Sequence, residues 1–494
     1  MNKNGTGSDR IAITGIGLVT SLGLSAPSSL AAIRSGIANF SEHETVTVYG
    51  NEYGTELTGA RIARLPEHAV RRHLHGADRA VALLAPTIRE CTSGLPQSLL
   101  EKAMWRLDNR TAPDNRNLIN LLKASVRDLP VPAIRPKDVV DSFLGRCLFF
   151  ENIIQATADL RSGTAPIVIV GCVDSLCDAP LLKKLSDANR VKSGTNPEGL
   201  VAGEAAGVFL LELESQAIRR NAGILAYISA WGCGAEPHPW TGKAPSIATG
   251  LRNAFDESFS VLPGKGEEID LVIADLNGER ARAHEWAITA ARIFPPDEKV
   301  RELKHPADCT GDCGAAMGAV LLATAIDIMS GALPPTNIAL ATSDDAGARR
   351  ILCLQKANSS GIDAMVPDGY KKSPAVVPAV IEQHSDDASF LWLTRQILMK
   401  APHITLQDLK QHDERIEANL DGLHYADEAG WEIPKKSLRH WNAGAYLRRL
   451  FWLLKAATET ALPICSTLQA LTFIYTRALS PPLAGCLLTS PNPT

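Results

Sequence analysis

Apolar positions recur at two spacings along this chain, and both appear in turn between Gly145 and Leu176. Phe149, Phe150, Ile153, Ile154, Thr157 and Leu160 return at helical intervals, which predicts a helix with one apolar face. Ser162-Gly163 ends it, and Pro166 keeps it ended. Ile167 to Gly171 is then an unbroken run rich in β-branched residues, as in a strand covered on both faces. Upstream, Arg10 to Gly23 reads as a strand entering a glycine-rich turn, followed by a helix capped by Ser25 and ending near Gly36. Arg71 to Cys91 predicts another helix, with a kink or break at Pro86. Leu99 to Leu129 reads as an insertion of two helices, and the polar stretch Leu181 to Leu200 as an extended loop. Val208 to Leu213 is a buried strand, preceded by small residues from Gly203 to Gly207.

A second series starts at Ile224. Strands fit Ile224–Ala230, Leu271–Ala274 and Arg350–Leu354, and helices fit Ala283–Ile293 and Gly314–Met329. Two successive α/β series in similar order predict an internally duplicated fold. Pro367 to Pro378 then reads as a linker. Two helices are expected between Val380 and Leu423, the second capped by Thr405 with Asp408 at the capping-box position. Thr460 to Thr476 is uncharged, but it holds Pro463 and is short for a membrane span. The last residues read as disordered.

Composition narrows the function. The 494 residues carry a net charge of -4 with a pI of about 6.3, which gives no electrostatic case for nucleic acid. The N-terminus lacks an apolar leader segment, so a cytoplasmic protein is expected. The ten cysteines form no CxxC pairs, and neither Cys309/Cys313 nor Cys172/Cys177 has a partner set at zinc spacing. Buried reduced thiols are the expectation, with no metal. His73 and His75, two residues apart, would point to different sides of a helix. Gly15 and Gly17 stand without a third glycine, so no dinucleotide fingerprint is present and no cofactor is implied.

Several motifs in order resemble one family, the β-ketoacyl synthases. Ile11 to Gly23 resembles their opening strand, and Gly163 to Ser175 the strand after their nucleophile helix. Gly203-Glu204-Ala205-Ala206-Gly207 resembles their glycine-rich segment. Thr310 to Ala316 resembles their "GHxxGAAG" turn, and Gly331 to Asn337 the "G-x-x-P-P-T-x-N" after it. The resemblance covers about residues 8 to 357. It implies a thiolase-like fold of five layers, αβαβα, built from two duplicated halves and usually a homodimer. The expected division is 8–215 for the first half, with a helical insertion at about 95–140, and 220–357 for the second. A linker at 358–378 and a helical appendage at 379–494 complete it.

The family's chemistry uses a cysteine at a helix N-terminus, two histidines and a nearby lysine. Carried across by motif, the cysteine position falls on Arg146, with Cys147 one residue later. The histidine positions fall on Asn277 and Asp312, and the lysine position near Ala307. The glycine-rich loop near the C-terminus is replaced by Ser343-Asp344-Asp345-Ala346-Gly347. Arginine stays protonated and cannot attack a thioester. One residue along a helix turns a side chain by roughly 100°, which points Cys147 away from the pocket. The resemblance is therefore to a degenerate subgroup without the triad. Arg146, Asn277, Glu279 and Asp312 should converge, as a salt-bridged polar plug in the old pocket, as a repurposed site for a polar or anionic ligand, or as a new catalytic set.

The leading expectation is a pseudoenzyme that acts as a binding, scaffolding or non-catalytic partner subunit. The alternative is an active acyltransferase that uses Cys147 on acyl-CoA or acyl-carrier-protein thioesters, with Phe149 and Phe150 lining its acyl pocket. Val380 to Trp431 weakly resembles the start of a bacterial HEAT-like repeat family, which implies a protein partner for the C-terminal helices.

Overall fold

The computed structural model describes residues 9–357, apart from residues 50–56, 68, 110–114, 127–138, 141–144, 195, 241–243, 263–265, 267, 295–301 and 332–333. The expected linker, helical appendage, HEAT-like segment and apolar stretch Thr460–Thr476 lie outside the described residues.

Twelve strands organise the described chain: β1 (Ile11–Thr20), β2 (Ser41–Tyr49), β3 (Leu57–Ala63), β4 (Met104–Asn109), β5 (Val139–Val140), β6 (Ile167–Ser175), β7 (Ala202–Leu213), β8 (Ala226–Ala235), β9 (Leu271–Ala274), β10 (Glu302–Lys304), β11 (Asn337–Ser343) and β12 (Ala348–Lys356). Ten of them run in the order β10-β9-β11-β12-β8-β1-β7-β6-β4-β5. The path divides into two sets with one pattern. In the first, β1 is antiparallel to β7 and β7 to β6, while β6, β4 and β5 are parallel. In the second, β8 is antiparallel to β12 and β12 to β11, while β11, β9 and β10 are parallel. The sets meet through a short antiparallel contact, Ile11–Ile13 against Ala226–Ile228.

Helices complete five layers. The Gly76–Thr92 and Asn115–Ser125 helices cover the outer face of the first set, burying Val81, Leu84, Ile88 and Leu122 against Leu107, Ile169 and Val208. The Thr249–Phe259 and Arg280–Ile293 helices cover the second, around Phe255. Between the sets lie the Leu148–Arg161 and Met317–Met329 helices, whose apolar residues share one core cluster with strands of both sets. The Met317–Met329 helix is apolar nearly all round, as a helix enclosed by protein must be. The fold is the expected αβαβα thiolase-like arrangement.

Local expectations fare unevenly. The Gly76–Thr92 helix runs through Pro86 without a break, held by the apolar face it buries under β1 and β7. The region expected to be a two-helix insertion does hold the Asn115–Ser125 helix, but ahead of it runs β4, a parallel neighbour of β6. Its alternation of buried Trp105 and Leu107 is a period-two signal hidden in a polar sequence. The expected loop at Leu181–Leu200 begins as a helix, Ala179–Asp187, with Pro180 in its first turn.

Candidate functional site

The site forms where the Leu148–Arg161 helix begins. Gly145 takes a positive φ of 53° and starts a single 3-10 turn, Gly145–Cys147. The Arg146 amide donates to Asp344 Oδ2 at 3.0 Å, so the turn is fixed by a carboxylate from the opposite half. Only glycine fits at 145, because a Cβ there would lie 1.8 Å from that same oxygen.

Arg146 is buried, and its guanidinium pairs with Asp312 Oδ1. The other Asp312 oxygen accepts from Asn277 Nδ2 at 2.6 Å, and Asn277 Nδ2 also reaches Glu279 Oε2 at 2.9 Å. The three residues expected at the triad positions, Arg146, Asp312 and Asn277, are thus bonded in sequence, and Glu279 joins them. Arg190 holds Glu279 in a two-point pair at 2.6 and 2.8 Å and donates to Asp345 at 2.7 Å. Arg282 donates to Asp345 at 2.9 Å and to Asp275 at 3.1 Å. Three guanidiniums, Arg146, Arg190 and Arg282, thereby meet four carboxylates, Asp275, Glu279, Asp312 and Asp345.

Mutual pairing is what makes this burial tolerable, since an isolated buried charge is costly. Burial alone would raise the Asp312 carboxyl, but the Arg146 guanidinium outweighs it and holds Asp312 below the usual carboxylate range. Asp345 is likewise held low, its burial outweighed by Arg146, Arg282 and Arg190. For Asp275 burial wins, and its carboxyl is raised despite Arg282 beside it. Burial would lower Arg146, yet the surrounding carboxylates raise it well above its ordinary value. Arg146 is therefore a permanent cation with no nucleophilic capacity.

Cys147 takes a different direction from Arg146. Its Sγ lies 3.3 Å from the Ala348 carbonyl and 3.5 Å from that of Thr342, fully buried against β11 and β12. Burial pushes its thiol up to about 12. Phe149 and Phe150 do not face the charged cluster. Both are fully buried in the central core, with ring centroids 6.1 Å apart and Phe149 5.6 Å from Phe209. Ala307, near which the lysine position was expected, is also core.

A cleft of about 620 Å³ opens above the cluster, with Arg190, Glu279, Arg282 and Asp345 among its lining residues. Trp240 forms part of its wall, with the Arg190 guanidinium 4.3 Å from its ring centroid. Arg146, Asn277, Asp312 and Cys147 do not line it. Sequence reasoning missed Arg190, Arg282 and Trp240. Arg282 lies two residues inside a helix N-terminus and three after Glu279, a spacing that could have flagged it. Arg190 carries no such signal. Among the described residues, no group of three or more His, Cys, Asp or Glu side chains could hold a metal ion. No described helix is long and apolar enough to cross a membrane.

The five layers and the pattern of the two strand sets give the described chain a thiolase-like fold. No family model matches the chain. It is 26% identical over 365 residues to nodulation protein E of Rhizobium sp. (strain N33), covering 66% of this chain and 88% of that protein. To nodulation protein E of Rhizobium leguminosarum bv. trifolii it is 25% identical over 362 residues, with the same coverage. Among solved structures it resembles AntDE:AntF, a type II PKS acyl-carrier protein in complex with its ketosynthase, with a TM-score of 0.57 at 12% identity. It also resembles the ishigamide ketosynthase/chain length factor, with a TM-score of 0.55 at 17% identity. Each of these two matches covers 71% of this chain and 100% of the other.

Proposed function

We propose that this protein is a ketosynthase-like subunit without condensing activity, which works as a binding or non-catalytic partner. The observation that carries the reading is the bonded series Arg146–Asp312–Asn277–Glu279 at the positions where the family's chemistry would sit. A condensing site needs a thiolate and hydrogen-bond donors aimed at a developing oxyanion. Here a guanidinium replaces the thiol, and a carboxylate held ionised replaces a histidine. Its charge would oppose an enolate.

The resemblance to a ketosynthase/chain length factor supports pairing with a second subunit of this fold, and the resemblance to a ketosynthase bound to its acyl-carrier protein supports an acyl-carrier partner. A dimer built from chains divided at about 8–215 and 220–357 fits this reading. The residues from 379 onward are proposed as a contact for a protein partner.

The test is intact-protein mass after incubation with acyl-CoA and acyl-carrier-protein thioesters, beside Cys147→Ala. The expected result is no adduct under conditions that label an active synthase. A mass gain lost in Cys147→Ala would establish the acyltransferase alternative and overturn the proposal.

A further inference from the structure

The β2–β3 hairpin holds a histidine in an unusual position. The pairing of β2 with β3 is regular at Glu42 and again at Thr47, but slips between them. The four residues in the slip, His43 to Val46, are organised by the His43 ring. Nδ1 accepts from the Thr45 amide at 3.2 Å and from the Val46 amide at 3.1 Å, and the Thr45 hydroxyl lies 3.5 Å away. Two N–H donors aimed at Nδ1 leave the ring proton on Nε2. His43 is 8% exposed, so its ring is enclosed although Thr45 beside it is exposed.

We propose that His43 is a pH-sensitive pin: protonation of Nδ1 removes the acceptor on which the bulge is wound and releases the β2 edge of the hairpin. A protonated Nδ1 can only donate, and it would then face two amide hydrogens. The charged groups around it do not remove this conflict. Glu44 on the same strand favours the imidazolium but is paired with Arg72. Asp178, at the start of the Ala179–Asp187 helix, also favours it but is bonded to His75. Arg64, just after β3, opposes it. Burial dominates these effects and holds the ring below its ordinary histidine value.

The sign follows from linkage. The closed bulge binds a proton less readily than the open one, so closure is complete above the ordinary histidine pKa of about 6.5 and weakens as pH falls below it. The weakening continues down to the depressed value of the closed state. One proton is involved, so the opening constant rises by up to about tenfold per pH unit in that window. The hairpin abuts the candidate site's scaffold. Ile62 and Ala63 of β3 pair with Ala202 and Gly203, and the Gly203 amide donates to the Asp312 carbonyl at 2.8 Å.

The experiment is hydrogen exchange of the full chain between pH 5 and pH 8, read as protection factors corrected for intrinsic rate. Peptides covering residues 41–49 should lose protection below about pH 6.5, while peptides from β6 and β7 keep theirs. His43→Asn keeps an acceptor near the Nδ1 position and cannot titrate, so its 41–49 peptides should hold constant protection across the range. Protection at 41–49 that does not change with pH in the parent chain would overturn the proposal, as would the same loss in His43→Asn.

Discussion

The two central helices begin in the same way and carry different chemistry. In the first half, Gly145 at φ 53° opens a 3-10 turn and the Arg146 amide donates to Asp344, just past the end of β11. In the second, Gly314 at φ 57° opens a 3-10 turn and the Ala315 amide donates to Asp174, near the end of β6 at 2.8 Å. A Cβ on Gly314 would lie 2.2 Å from Asp174, as one on Gly145 would lie 1.8 Å from Asp344. The glycine, the turn and the carboxylate from the opposite half are therefore architecture, needed in both halves to start a buried helix. What differs is the second residue of each turn, a paired arginine in one and alanine in the other. The charge at 146 belongs to the site and not to the way the helix starts.

The largest expected effect tests that separation. Arg146→Ala strands the Asp312 carboxylate in the interior and should cost about 3–5 kcal/mol in urea unfolding. The matching change, Ala315→Gly, removes no charge and should cost about 1 kcal/mol. Equal losses would mean that Arg146 is only a turn residue. Replacing Arg146 and Asp312 together by Met and Leu should recover most of the loss.

Next in size are the two caps. Asp344→Ala and Asp174→Ala each remove a buried carboxylate that accepts the middle amide of the 3-10 turn leading into a central helix, and each should cost about 1–3 kcal/mol. Similar values would confirm that the two starts are equivalent, and a clear inequality would break the comparison.

A smaller effect appears in acid. Asp312 and Asp345 are held low in the folded protein, so their contribution is present above the unfolded carboxylate value of about 3.9 and is lost as pH falls through the folded ones. Asp275, held high, acts in the opposite direction and stabilises as it protonates. The net expectation is a loss of stability below about pH 4, with a shallower slope in Asp312→Asn. The smallest effect concerns Cys147. Its buried thiol should resist alkylation at neutral pH until the protein unfolds, as counted by mass after iodoacetamide treatment.

How much of this was legible in the sequence depends on the range of the interaction. Ile167–Gly171 and Leu271–Ala274 were readable because a strand buried on both faces has to be continuously apolar. Arg146, Asn277 and Asp312 were located by motif spacing, and they are bonded in the structure although 166 residues separate the ends of the Arg146–Asp312 pair. Arg190 was not legible. It follows a polar stretch, and its partner Glu279 is 89 residues away, so nothing local distinguishes it from a solvated arginine. The mixed polarity of β4 and of the Ala179–Asp187 helix hid them for a related reason. Their burial is set by neighbours, Val168–Val173 for β4, that no local pattern announces.

The exchanged carboxylates also bear on how such a molecule can be cut or assembled. Each half starts its innermost helix with an acid from the other, so neither half contains everything its own centre requires. A fragment ending near residue 215 would keep the Leu148–Arg161 helix and lose Asp344. A fragment starting near 220 would keep the Met317–Met329 helix and lose Asp174. The duplicated parts are joined as reciprocal dependents, and complementation by two separately made pieces would succeed only where each finds the other before its central helix is committed.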